Sequence, residues 1–116
     1  MIKPANDFIL AAQQVCQCID PSRAKKLLTE NQPCVLLDVR EPHEAEQAII
    51  NGAINIPRGL LEMKIQNHCT EPNRTILVHC AAGGRASLAA ARLQEMGYNN
   101  VYAITAKFSD IKEALE

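Results

Sequence analysis

The sequence predicts an α/β domain: a central parallel sheet of about five short strands, with helices on both faces. Three observations carry this expectation. Continuous apolar runs such as Val35-Leu36-Leu37 and Ile76-Leu77-Val78 read as strands buried on both sides. Stretches with apolar residues at helical spacing alternate with those runs. Turn residues are spread evenly, with no repeat, linker or low-complexity tract, so residues 1–116 read as a single domain.

Residues 1–18 read as an N-terminal helical extension. The apolar run Phe8 to Ala12 is short, and Asp7 and Gln13-Gln14 bracket it, which fits an amphipathic helix better than a secretion signal. Asp20-Pro21 opens the next helix: Asp20 caps free backbone donors and Pro21 is preorganised for the first helical position. Ala24, Leu27 and Leu28 give that helix one apolar face, and it should end near Glu30-Asn31. A strand over Cys34 to Val39 is broken by Arg40-Glu41-Pro42. A short helix is expected over Glu44 to Gln47, a strand over Ala53 to Ile56 closed by Pro57, and a helix over Leu60 to Asn67. Thr75 to His79 is the clearest remaining strand, with Cys80 at its carboxyl end. Ala86, Ala89, Ala90, Leu93 and Met96 stripe a helix that Gly97 is placed to end in a left-handed conformation. A strand over Asn100 to Ile104 and a helix over Ser109 to Leu115 complete the chain.

Composition narrows the function classes. A hydrophobic share of 47% and a charged share of 22% are those of an ordinary globular protein. With two Tyr, two Phe and no Trp, the core is aliphatic and the stacking platforms that bind single-stranded nucleic acid are missing. A net charge of −1 leaves no electrostatic footprint for nucleic acid or an anionic membrane. No stretch approaches the roughly 18 apolar residues that span a bilayer. Cys16, Cys18, Cys34, Cys69 and Cys80 are odd in number, which points to reduced thiols and a cytoplasmic protein. Cys16-x-Cys18 lacks finger spacing and a second pair, so neither a metal nor another cofactor is expected.

The segment His79-Cys80-Ala81-Ala82-Gly83-Gly84-Arg85 holds most of the functional information. A strand ends at the cysteine and a helix begins a few residues later. In parallel sheets ligands bind at such carboxyl ends. Glycines let successive N–H groups turn toward one centre, and a helix start adds its positive end. Both effects favour a Cys80 thiolate over the thiol. Ala81 and Ala82 keep bulk away from the sulfur, and Arg85 supplies a planar, permanent cation suited to an oxyanion.

This loop resembles the active-site loop of the rhodanese family, which runs Cys, four residues, Arg. Three further segments resemble family signatures in the same order: Leu37 to Pro42, Gly52 to Pro57 and Gly97 to Tyr102. The resemblance implies a rhodanese-like fold and a sulfurtransferase. Cys80 would attack the outer sulfur of a donor such as thiosulfate, hold it as a persulfide, and pass it to cyanide, a thiol or a protein acceptor. The amides of residues 81 to 85 would stabilise the persulfide, and Arg85 would hold the loop or bind the donor's charged end. A monomer or weak homodimer is expected.

The chain departs from the family pattern in two places. Many relatives place an Arg directly after the cysteine, where this chain has Ala81; Arg58, just after Pro57, is the candidate replacement at the pocket rim. The usual final Gly-Gly turn before an aromatic is replaced by Ala106 to Asp110, which should reshape that turn. Two rival classes fit the sequence less well. Cysteine phosphatases of the related fold carry five residues between Cys and Arg, against four here, and the shorter ring favours a sulfur atom over a phosphate. A binding module that has lost catalysis is disfavoured by the presence of Cys80 and its glycines. Asp38 and Arg40 are expected to tie strand ends together, His79 to point to the opposite face from Cys80, and Cys34 and Cys69 to be inert thiols.

Overall fold

A computed structural model describes residues 1–116. Its helices are α1 (Ala5–Val15), α2 (Pro21–Glu30), α3 (Pro42–Gln47), α4 (Leu61–Lys64), α5 (Gly84–Met96) and α6 (Phe108–Leu115). Its strands are β1 (Gln17–Ile19), β2 (Val35–Asp38), β3 (Ala53–Asn55), β4 (Ile76–His79) and β5 (Val101–Ile104). They form one parallel sheet in the order β1-β5-β4-β2-β3.

Alternation along the central strands divides the core. Leu37, Ile76, Val78, Val101 and Ala103 face one side, where they pack with Leu61 and Ile65 and with Ala86, Ala89, Ala90 and Leu93 of α5. Leu36, Leu77 and Ile104 face the other, against Ala24 and Leu27 of α2 and Ile111 and Leu115 of α6. Three fully buried alanines let α5 lie close to the sheet; α1 then packs across α5.

The strand order positions the site. The connection leaving β2 runs to β3 on one side, and the connection leaving β4 runs to β5 on the other. A crevice opens where neighbouring connections part, and here it lies over the adjacent ends of β2 and β4.

Sequence expectation and structure differ at element edges. Residues 1–18 are not one helix: α1 stops at Val15, and Gln17–Ile19 joins β5 as the edge strand. Three residues, two of them exposed, carry too little apolar pattern to announce a strand. The helix expected from Glu44 starts at Pro42, because Pro fits the first helical position and Glu41 N–H donates to Glu44 Oε1 at 2.9 Å. The helix expected over Leu60 to Asn67 is α4 flanked by 3₁₀ turns at Arg58–Leu60 and Ile65–Asn67. The helix expected from Ala86 begins at Gly84.

Candidate active site

Cys80 follows β4 directly, and its side chain lies with the core residues on the α5 face. Gly83 caps α5 at φ 107°, a left-handed angle that a side chain resists. That turn aims two amides at the sulfur: Gly83 N–H at 3.1 Å and Ala86 N–H at 3.3 Å. The cradle therefore differs from the expected run 81 to 85, since Ala86 belongs to it. The amides of Ala81, Ala82, Gly84 and Arg85 make no hydrogen bond to the sulfur or elsewhere in the protein. Two amides and a helix start thus meet a single sulfur atom, with four unspent donors in the same loop, an arrangement suited to negative charge. Cys80 is 1% exposed, so its sulfur is enclosed by the loop.

Neighbouring elements brace the loop. Ser87, fully buried, donates from Oγ to the Gly83 carbonyl at 2.7 Å and accepts from Gln13 Nε2 at 3.1 Å. The N-terminal helix thereby reaches the Cys80 loop through Ser87. On the other flank, Phe108 N–H donates to the Ala81 carbonyl at 2.9 Å. The turn after β5 thus closes on the loop.

Asp38 and Arg40 occupy the adjacent end of β2. Arg40 Nε and Nη2 hold both Asp38 oxygens at 2.8–3.2 Å, and Nη2 also donates to the Ala48 carbonyl at 2.7 Å. Asn55 Nδ2 donates to the carbonyls of Asp38 and Arg40 at 3.0 Å each. The pair is buried and ties β2, α3 and β3 together, as the sequence suggested. Phe108 covers it, with its ring centre 3.9 Å from the Arg40 guanidinium carbon.

Arg85 does not stand free. Its Nη1 and Nη2 grip Glu44 Oε1 and Oε2 at 2.6 and 3.2 Å. This guanidinium, foremost, holds the Glu44 carboxyl down to about 2. Glu44 was expected only as a helix residue; the one sequence signal for it is its place three residues after Glu41, where a capping-box carboxylate sits. Arg58 is placed elsewhere. It pairs with Glu62 at 3.2 Å and lines the groove between α1 and α5 with Phe8, Ala12 and Leu88, so the structure does not bring it to the Cys80 loop.

His79 lies on the face opposite Cys80, fully buried against Phe108 at 5.8 Å between ring centres, and neither ring nitrogen has a hydrogen-bond partner. Burial pushes its pKa down, against the pull of Asp38. Cys16, Cys34 and Cys69 are shifted toward the protonated form. Burial raises Cys34 to about 11 and Cys16 to about 12, the latter with Cys18 Sγ at 3.8 Å, and it raises Cys69 as well.

Comparison with known proteins follows the same lines. A family model described as the Rhodanese-like domain matches residues 20–114. The thiosulfate sulfurtransferase PspE of Escherichia coli is 38% identical over 65 residues, which is 56% of this chain and 62% of that protein. The polysulfide-sulfur transferase homodimer of Wolinella succinogenes superposes with a TM-score of 0.76 at 28% identity, over 93% of this chain and 81% of that one. A protein of unknown function from Rhodopseudomonas palustris, described as a possible tyrosine phosphatase, superposes with a TM-score of 0.83 at 25% identity, over 98% and 92% of the two chains.

Proposed function

The chain belongs to the Rhodanese-like domain family, whose relatives here include sulfurtransferases, and from that premise we propose that it moves sulfane sulfur through a persulfide on Cys80. The observation that carries the reading is the cradle: two amides on the Cys80 sulfur and four more without partners around the same loop. The Cys80 thiolate attacks the outer sulfur of a donor such as thiosulfate. The donor's S–S bond breaks, its electron pair leaves on sulfite, and a Cys80 persulfide forms. The unspent amides of Ala81, Ala82, Gly84 and Arg85 are available to the terminal sulfur and its charge. Cyanide or a thiolate then attacks that terminal sulfur, and the electron pair of the breaking bond returns to Cys80. With cyanide the product is thiocyanate.

The same reading favours a small-molecule donor, a thiol or protein acceptor, and action as a monomer or weak homodimer. No helix is long and apolar enough to cross a membrane. The five free cysteines suit a reducing compartment such as the cytoplasm.

A phosphatase reading is suggested by the description of the Rhodopseudomonas neighbour. Against it, four residues separate Cys80 from Arg85, and Arg85 is already gripped by Glu44. Initial rates of thiocyanate formation, with donor and cyanide varied together, test the proposal. Parallel double-reciprocal lines, with no hydrolysis of p-nitrophenyl phosphate, are expected; phosphate release without thiocyanate would reverse the assignment.

A further inference from the structure

Each of the three arginines that the sequence singles out is matched by a carboxylate. Arg40 is held by Asp38, Arg58 by Glu62, and Arg85 by Glu44. The Arg85 pair is the one that bears on the donor, because Arg85 lies within electrostatic reach of Cys80. Glu44 is itself fixed. Its Oε1 accepts the Glu41 N–H at 2.9 Å as well as Arg85 Nη1 at 2.6 Å, so the carboxylate is anchored from its own helix. Glu41 adds a second negative charge that Arg85 feels. Ala81 offers no cation beside the sulfur. Within this cluster Glu41 and Glu44 therefore outnumber Arg85 by one charge, before the thiolate is counted.

A dianion approaching these side chains meets repulsion from two carboxylates and a thiolate, with the Arg85 guanidinium already bound to Glu44. We propose that Glu44 sets the donor class of this site: by occupying Arg85 it disfavours dianionic donors such as thiosulfate and leaves the site to persulfides of monothiols. This rests on the sulfur-carrier reading of Cys80. With such a donor, the Cys80 thiolate attacks the terminal sulfur of R–S–SH. A bond forms between the Cys80 sulfur and that terminal sulfur, the donor's S–S bond breaks, and its electron pair leaves on R–S⁻. The proton stays on the transferred sulfur, so Cys80 holds –S–SH, and no outside oxidant or reductant is needed. The leaving group is a monoanion, so the step needs no free cation to receive it.

The test is single-turnover loading of Cys80, followed by quenched intact-mass analysis. Thiosulfate and freshly generated cysteine persulfide serve as the two donors for wild type, Glu44→Gln and Glu41→Gln. Glutamine at position 44 keeps an oxygen for the Glu41 N–H and for Arg85 but removes the charge. Wild type should load faster from the persulfide than from thiosulfate. Glu44→Gln should raise the thiosulfate rate about tenfold, the scale of one charge acting on a dianion at short range, with the persulfide rate changed less than about twofold. Glu41→Gln, which leaves the Arg85 clamp in place, should move thiosulfate in the same direction by a smaller factor. An unchanged thiosulfate-to-persulfide ratio in Glu44→Gln, or an equal rise with both donors, would overturn the donor assignment while Cys80 still carried sulfur. Loading of no variant by either donor would overturn the carrier reading along with it.

Discussion

A Cβ atom placed on Gly83 would stand 3.1 Å from the Cα of Thr105. The residue that aims its amide at the Cys80 sulfur is thus pressed against the turn that leaves β5, at a φ of 107°. Its neighbour Gly84 has ordinary helical geometry, and a Cβ there meets only the tip of the Ile9 side chain, at 2.9 Å.

The two glycines should therefore respond differently to alanine. Gly83→Ala should lower stability by about 1–3 kcal/mol, the usual range for a side chain held in a disfavoured region. It should also slow sulfur loading at least about tenfold, as loss of a preorganised donor does. Gly84→Ala should shift stability by less than about 1 kcal/mol, since Ile9 can turn aside and alanine favours the helix. Thermal melts and loading rates of the two variants check this.

The Asp38–Arg40 pair should be structural. Asp38→Asn leaves a buried guanidinium without its counter-charge and should reduce unfolding free energy by about 3–5 kcal/mol. Glu62→Gln, at the partly exposed pair with Arg58, should change it by less than about 1 kcal/mol. Urea titrations of both variants measure the contrast.

Acid stability should show two separable steps. His79 has a depressed pKa when folded, so the unfolded chain takes up its proton first; that stability is present above about pH 6.5 and is lost as pH falls below it. His79→Phe should flatten this slope. Glu44, held to about 2, contributes stability above the ordinary carboxylate range near pH 4.3, and this is lost as pH falls toward 2. Glu44→Gln should flatten the second slope and leave the first. Unfolding free energies across a pH series resolve them.

Ser87 should act on the loop and not on the chemistry itself. Ser87→Ala removes a 2.7 Å hydrogen bond to the Gly83 carbonyl, which still accepts the residue 87 amide at 3.0 Å. A loss of about 0.5–1.5 kcal/mol is expected. Loading should slow, and the variant should keep the wild-type preference between donors; a changed preference would contradict a bracing role.

Much of the fold was legible because its central strands are continuous apolar runs. Leu36, Leu37 and Ile76 to Val78 are buried, with the two faces of the sheet both covered, and admit few other readings. Strand β1 was not legible: Gln17 and Cys18 are exposed, and only the pairing with β5 makes them a strand. In the site, Cys80 and the glycine turn could be found from order and spacing alone. Glu44 could not, because its role comes from a partner 41 positions away in sequence. Arg58 failed for a related reason. Proximity to Pro57 fixed its backbone near the β3 end, but its side chain turned to Glu62 and the α1–α5 groove.

The most direct test of the central claim is the intact mass of reduced protein after exposure to a sulfane-sulfur donor, read beside Cys80→Ser. A gain of one sulfur atom in the wild type, absent from Cys80→Ser and removed by cyanide with thiocyanate released, is the expected result. An equal gain in Cys80→Ser, or no gain from either thiosulfate or a persulfide in the folded wild type, would contradict it.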